Sequence, residues 1–163
     1  LEPMITRTAR LGFGLTEPDH GSDATWMETN AYRDGDEWVI NGNKTWNTGL
    51  HNATHDVIFA RTSGEPGEGT GITAFIVPTD HPGFEIVEFL WTFNMPTDHA
   101  TIKLTNVRVN KSTMFGEEGR GLMVVQSFVN ENRIRQAASS LGAAAYRPEA
   151  APSSWAAQLL PNR

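Results

Sequence analysis

The sequence contains no cysteine, which excludes a disulfide framework and a metal site built on thiolates. No uninterrupted apolar run approaches the roughly 18–20 residues that a membrane-crossing helix requires. Lysine and arginine together number 13 against 19 aspartates and glutamates, so the net charge is −6. This acidic balance disfavours duplex nucleic acid and anionic membrane surfaces as partners. We therefore predict no nucleic-acid partner and no membrane span.

A length of 163 residues is enough for one domain with its own core. The first residue is Leu1 and not methionine, and the opening residues look like the end of a preceding segment. We therefore treat the chain as a fragment of a longer protein.

Most of the sequence consists of short runs in which apolar and polar residues alternate. Two such runs, 28–32 and 37–40, flank Asp34 and Gly35 and predict a hairpin, because this turn requires a positive φ angle. Further strands are predicted over 56–61, 72–77, 84–90, 100–104 and 107–109. With the run that begins at Leu11 they make about eight strands, which favours a closed β-barrel or an orthogonal sandwich within residues 1–116.

The pattern changes after Gly116, where the spacing becomes helical and predicts one long amphipathic helix within 117–146. Its apolar residues are Val125, Phe128, Val129, Ile134, Ala138, Leu141 and Ala145. A helix with such a face needs a helical partner, so we expect it to be the first helix of a truncated helical domain. Two prolines follow, and 147–163 is predicted to be an irregular tail.

Two stretches combine glycine, hydroxyl and aromatic residues. The first contains Leu15-Thr16-Glu17-Pro18 and Gly21-Ser22-Asp23. Backbone donors next to a glycine, with a serine hydroxyl beside them, can bind phosphate oxygens, although such residues also form ordinary turns. The second contains Asn41-Gly42 and Lys44-x-Trp46-x-Thr48.

The two stretches at this separation strongly resemble the acyl-CoA dehydrogenase family, specifically its middle β-domain, and the resemblance extends from about Leu11 to Gly142. It implies an FAD cofactor and α,β-dehydrogenation of an acyl-CoA thioester with hydride transfer to flavin N5. It also implies electron-transfer flavoprotein or oxygen as the acceptor, and a homo-oligomer when full length. The cellular compartment is not decided: it is the cytoplasm in a bacterium, or the mitochondrion or peroxisome in a eukaryote.

The resemblance assigns cofactor contacts to Phe13, Leu15, Thr16, Gly21, Ser22, Trp46, Asn47 and Thr48. Phe13, Leu15 and Thr16 are implied to lie against the isoalloxazine ring, with the Thr16 hydroxyl and the adjacent backbone bonding its pyrimidine edge. Gly21 and Ser22 are implied to turn toward the pyrophosphate and the pantetheine.

Trp46 is implied to cover the flavin face away from the substrate, and Asn47 to contribute backbone. The Thr48 hydroxyl is implied to bond N5, where a donor stabilises the charge that develops in the reduced ring. From the residues alone, Trp46 fits barrel core equally well and Thr48 fits an ordinary strand position. Glu17 is expected to fix the turn and not to act as a base.

The catalytic base is not evident. Some members of the family carry it on the first helix after the barrel, directly before an arginine that matches Arg133, but that position is Asn132 here. Glu131 is the remaining candidate, rotated by about 100° around the helix. Arg133 is a candidate for substrate binding, with a salt bridge as the alternative.

Other constellations are weaker. His51, His55 and Asp56 would share a face only on a helix, and the neighbouring residues favour a strand, so no metal site is predicted. Three matches to the glycosylation acceptor pattern, at Asn43, Asn52 and Asn110, are interpreted as chance.

Three functional hypotheses follow. The first is an FAD-dependent acyl-CoA dehydrogenase, represented by its middle domain and one helix. The second is a related flavoenzyme that uses oxygen, like the acyl-CoA oxidases and nitroalkane oxidases. The third is a non-catalytic β-domain. In each case we expect the fragment alone to be inactive and to bind FAD poorly.

Overall fold

A computed structural model describes the backbone of residues 2–150 and the side chains of residues 2–146. Within this range the chain forms a short helix, seven strands and a long helix. In chain order they are α1 (Glu2–Ile5), β1 (Leu11–Gly14), β2 (Asn30–Asp34), β3 (Glu37–Thr48), β4 (His55–Arg61), β5 (Ile72–Pro78), β6 (Phe84–Thr92), β7 (Met95–Asn110) and α2 (Gly121–Ala150). Short 3₁₀ helices span Ala24–Trp26 and Lys111–Thr113. The mainly β fold followed by one long helix is confirmed.

The strands form one sheet in the order β1-β4-β2-β3-β7-β6, with β5 also paired to β4. Most pairings are antiparallel, but β1 runs parallel to β4. Among the described strands no pairing joins β5 to β6, so this sheet is open. The closed barrel is therefore not confirmed.

The strand count is seven and not eight because the predicted strands 100–104 and 107–109 are parts of β7. Thr105 and Asn106 interrupt the alternation in the sequence, but they form a bulge opposite β3 and do not end the strand. Asn106 takes a φ of +48° there. A bulge adds one residue to one strand while the pairing continues on both sides of it.

The predicted hairpin is confirmed. Asp34 pairs with Glu37 across a two-residue turn, and Gly35 takes a φ of +64°. Arg108 of the neighbouring strand β7 forms ion pairs with both carboxylates, at 2.6 Å to Asp34 and 2.9 Å to Glu37.

The core lies on one face of the sheet and draws on the strands from β2 to β7. Ile40, Ile58, Phe75, Ile102 and Val107 are fully buried in it. Each such side chain contributes roughly 1.5–3 kcal/mol through the area it removes from water. This core fixes the position of β3, which carries the second motif.

Gly42, in the middle of β3, allows Thr29 to lie very close to the strand. A Cβ at this position would lie 2.6 Å from the Cα of Thr29, well inside any normal contact. The main chain cannot move away without breaking the pairing of β3, so a side chain is sterically excluded here.

The chain divides into two compact units, of which the first ends at Val124. In the described part of the chain the second unit consists of α2 from Val125 onward. The helix was expected to end before Arg147, but its backbone stays helical to Ala150. Residues 151–163 of the predicted tail lie outside the described residues.

The apolar residues of α2 do not share one face, which corrects the amphipathic prediction. Ile134 follows Val125 by nine residues, and at about 100° per residue this places it on the opposite side of the helix. Phe128 is 45% exposed and Leu141 is 71% exposed. None of the described helices has the length and apolar character needed to cross a membrane.

Candidate functional site

The two motif stretches lie side by side. Thr45 donates its backbone N–H to the carbonyl of Thr16 at 2.9 Å, and the Lys44 ammonium donates to the carbonyl of Leu15 at 3.1 Å. The segment that follows β1 therefore runs along the second half of β3. Residues that are about 30 positions apart in the sequence are brought to one place in the fold.

The second motif contains a bulge. Three steps along β3, from Lys44 to Asn47, match two steps along β7, so β3 carries one extra residue. Lys44 and Asn47 are both buried although they are three apart, whereas Trp46 and Thr48 are exposed. Because of the extra residue, Lys44 and Asn47 lie on the inner, buried side of the strand, whereas Trp46 and Thr48 lie on its outer, exposed side.

Trp46 occupies a strained backbone conformation at this bulge. Its φ is +61°, which is rare for a large side chain and costs about 1–3 kcal/mol. The side chain is 48% exposed, which excludes the alternative that Trp46 is core. Burial of the indole within this unit therefore does not offset the strain, and such strain is typical of functional sites.

Thr48 and Trp46 both contact His99. The Thr48 hydroxyl is hydrogen-bonded to His99 Nδ1 at 3.0 Å, and the Trp46 and His99 rings meet edge to face with centroids 6.0 Å apart. His99 lies on β7 directly opposite Thr48. The sequence analysis missed this histidine, because only the register of β3 with β7 places it at the motif.

Asn47 and Asp56 form a buried polar pair beneath the bulge. Asn47 donates from Nδ2 to Asp56 Oδ2 at 2.5 Å, and both side chains are fully buried. The Oδ1 atom of each has no hydrogen-bond partner among the described residues. Burial raises the pKa of Asp56 to about 7, while the bond from Asn47 and the charge of Lys44 oppose part of that rise. Near neutral pH the carboxyl is therefore partly protonated.

Two glycines of β1 make room for this pair. A Cβ on Gly12 would lie 2.9 Å from Asp56 Oδ1, and one on Gly14 would lie 2.8 Å from Asn47 Nδ2. Side chains at either position would collide with the buried polar groups. From the sequence, Asp56 was considered only as a possible metal ligand with His51 and His55. In the fold it forms a buried pair with Asn47 instead.

Glu17 and Lys44 form a second buried pair, 2.8 Å apart. Glu17 also accepts the N–H groups of Glu28 at 2.7 Å and Thr29 at 3.0 Å. Burial acts to raise the pKa of Glu17, but Lys44 and these donors outweigh it and lower the pKa below its ordinary value. For Lys44 burial dominates and lowers the pKa to about 8, against the opposing effect of Glu17. This geometry agrees with a turn-fixing role for Glu17.

The remaining residues of the first motif lie around this centre. The Phe13 ring packs on Phe59, with centroids 5.1 Å apart. Gly21 and Ser22 are exposed, and apart from Gly21 and its two chain neighbours no described residue has an atom within 4 Å of a Cβ built on Gly21. The turn is held by Asp23, whose carboxylate accepts both the N–H and the hydroxyl of Thr25. The structure thus leaves open space beside Gly21.

The two helical candidates belong to the second unit. Glu131 and Arg133 are both exposed on α2. Their assignments as base and substrate-binding residue stay predictions.

The family profile described as "Acyl-CoA dehydrogenase, middle domain" matches residues 12–107. The chain belongs to the acyl-CoA dehydrogenase family.

Individual relatives agree with this assignment. The chain is 37% identical to a 3-(aryl)acrylate reductase of Clostridium sporogenes over 88% of this chain and 38% of that protein. It is 36% identical to a glutaryl-CoA dehydrogenase of Desulfococcus multivorans over 82% of this chain and 34% of the relative. The crystal structure of a glutaryl-CoA dehydrogenase from Mycobacterium smegmatis in complex with FADH2 superposes with a TM-score of 0.62 at 36% identity, over 72% of this chain and 29% of that one. The chain thus spans little more than a third of the length of these two relatives.

The outer face of the bulge fits the flavin ring that the acyl-CoA dehydrogenase resemblance implies. A flavin ring is flat and largely apolar, with hydrogen-bonding atoms at its edges. Trp46 offers an exposed indole and Thr48 an exposed hydroxyl on the same strand. Leu15 and Thr16 are half-buried and lie on the segment that runs beside β3. The residues present therefore suit the group.

Proposed function

We propose that this chain is the flavin-binding middle portion of an FAD-dependent acyl-CoA dehydrogenase, which oxidises the Cα–Cβ bond of an acyl-CoA thioester. The observation that carries the proposal is the β3 bulge, which holds Trp46 at a φ of +61° and leaves it 48% exposed beside Thr48. Because the chain covers about a third of its relatives, the activity is proposed for a longer protein.

FAD, when bound, supplies the hydride acceptor, and the chain supplies position and hydrogen bonds. Trp46 would stack on one face of the ring, and the Thr48 hydroxyl would bond N5. A fixed donor at the atom that gains electron density stabilises the transition state more than the ground state. The buried Asn47 side chain holds the bulge from within, and the neighbouring backbone would face the cofactor.

The first motif would complete the cofactor site. Leu15 and Thr16 would contact the ring along the segment bonded to β3, with Phe13 beside them on Phe59. Gly21 and Ser22 would meet the pyrophosphate and the pantetheine, and the space around Gly21 supports this role.

The other partners follow from the same proposal. Arg133 would lie at the substrate, and Glu131 would be the base if this helix carries it. The electron acceptor would be an electron-transfer flavoprotein or oxygen, and the full-length protein would form a homo-oligomer. Oxygen consumption during turnover distinguishes the two acceptors.

Two substitutions in the longer protein test the site. Thr48→Val is expected to slow flavin reduction roughly ten- to hundredfold while FAD stays bound, because it removes one hydrogen bond that strengthens at the transition state. Trp46→Ala is expected to weaken FAD retention, measured by the flavin absorbance left after gel filtration. Thr105→Val and Trp26→Ala, at other exposed positions, are the matched controls. Unchanged reduction and retention in the first two variants would show that the site is elsewhere.

A titration of the chain alone tests the expected weak binding. The contacts described above come from one exposed part of a sheet, so most of the cofactor would stay solvated and its loss of freedom would be poorly offset. We expect weak FAD binding and no turnover of acyl-CoA thioesters with an artificial electron acceptor. Tight one-to-one binding with turnover would contradict this and would make Glu131 the first residue to mutate.

A further inference from the structure

His99 contacts both residues of the outer face of the bulge, Trp46 and Thr48. It lies opposite Thr48 in the ladder between β3 and β7. Its Nδ1 atom is 3.0 Å from the Thr48 hydroxyl, and its ring and the Trp46 indole meet edge to face. One imidazole therefore touches the two groups to which the flavin contacts are assigned.

The hydrogen bond to His99 decides what the Thr48 hydroxyl can offer to a ligand. A hydroxyl has one hydrogen to donate and two lone pairs to accept with. If His99 Nδ1 is unprotonated, Thr48 donates its hydrogen to the imidazole and presents only lone pairs outward. If Nδ1 carries the hydrogen, it donates to Thr48, and the hydroxyl hydrogen is free to point at a ligand.

Asp98 favours the second arrangement. Its Oδ1 atom lies 3.6 Å from His99 Nδ1, and a nearby carboxylate stabilises a hydrogen on the nitrogen that faces it. The backbone around Asp98 is fixed to β3, because its carbonyl accepts the N–H of Gly49 at 3.0 Å.

We propose that His99 is a positioning residue for the flavin site: its Nδ1–H donates to Thr48 and so directs the Thr48 hydroxyl hydrogen toward N5. This inference rests on the proposed function. It adds a residue to the site and assigns it a tautomer, and both can be measured without any cofactor.

The first experiment is done on the ligand-free chain. Long-range ¹H–¹⁵N correlation spectra in mildly alkaline buffer distinguish a protonated ring nitrogen from an unprotonated one. We expect the protonated-type shift at His99 Nδ1 and the unprotonated-type shift at Nε2. Asp98→Ala should increase the fraction of the opposite tautomer. The reverse pattern in the unmodified chain would overturn the proposal whether or not FAD binds.

The second experiment uses the FAD-loaded longer protein and distinguishes the effect of the His99 ring from the effect of its Nδ1 donor. His99→Phe keeps an aromatic ring beside Trp46 but removes Nδ1, whereas His99→Asn keeps a donor near that place and removes the ring. We expect His99→Phe to slow flavin reduction roughly five- to tenfold, the effect of about one neutral hydrogen bond, and His99→Asn to recover most of the rate.

The double variant His99→Phe/Thr48→Val completes the test. If His99 acts through Thr48, the double variant is no slower than Thr48→Val alone. A slow Thr48→Val variant beside an unaffected His99→Phe variant would overturn the role of His99 and leave the proposed function intact. If Thr48→Val has no effect, the N5 assignment fails, and with it the role of His99 toward the flavin.

Discussion

Replacing Asp56 by asparagine should make the stability of the chain less sensitive to pH. Asp56 is fully buried, accepts one bond from Asn47 and leaves Oδ1 without a partner among the described residues. Asparagine has nearly the same shape but cannot take up a negative charge. In Asp56→Asn the amide oxygen can still accept the hydrogen bond from Asn47.

The sign and the size of this pH dependence follow from the pKa of Asp56. The pKa of Asp56 rises from its ordinary value of 3.8 to about 7 in the folded chain. Between these values the folded state keeps a proton that the unfolded state has lost, so the contribution of this group to stability is fully present below about pH 4 and is lost as the pH rises through about 7. At about 1.4 kcal/mol for each pH unit, the loss is of the order of 4 kcal/mol.

Urea unfolding followed by tryptophan fluorescence at a series of pH values measures this effect. We expect the free energy of unfolding of Asp56→Asn to gain about 4 kcal/mol relative to the unmodified chain between about pH 4 and pH 8. Asp80→Asn, at an exposed aspartate, is the control and should show no such trend. A constant difference between Asp56→Asn and the unmodified chain over this range would refute the argument that burial of Asp56 governs its titration.

Two further changes test the packing around the site. Lys44→Met leaves the Glu17 carboxylate buried without its cation, so we expect the free energy of unfolding to fall by about 3–5 kcal/mol. Adding Glu17→Gln should recover part of this loss, because it removes the unpaired charge. Equal losses in the single and the double variant would contradict an ion pair. Gly42→Ala places a Cβ 2.6 Å from the Cα of Thr29 and should lower the thermal midpoint clearly, whereas Gly21→Ala, with open space around it, should change the free energy of unfolding by no more than about 0.5 kcal/mol.

The general architecture could be predicted because its signals are local. Gly35 between two alternating runs specifies a hairpin, and the end of strict alternation after Gly116, in a stretch without proline up to Arg147, favours a helix. The helix was predicted to end before Arg147, whereas its backbone is helical to Ala150. The division of β7 was misjudged because a bulge at Asn106 interrupts the alternation in the same way as a strand end.

The interior of the candidate site could not be predicted in the same way. A lysine in a motif carries no sign that it is fully buried, as Lys44 is, because its partner Glu17 lies 27 residues earlier. The positive φ of Trp46 has no residue-type signal, since glycine and asparagine are the usual occupants of that region. His99 reaches Thr48 only through the register of two strands.

Gly12 and Gly14 also constrain how this sequence can change over evolutionary time. A Cβ on Gly12 would collide with Leu50 as well as Asp56, and one on Gly14 would collide with Ile58 as well as Asn47. A smaller polar pair alone would therefore not make room for alanine at either glycine, because the apolar neighbour would have to move too. The two glycines, the polar pair and the two apolar neighbours thus form a unit of coordinated substitution. An engineer who transplants β1 or β3 into another member of the family has to consider all six residues together.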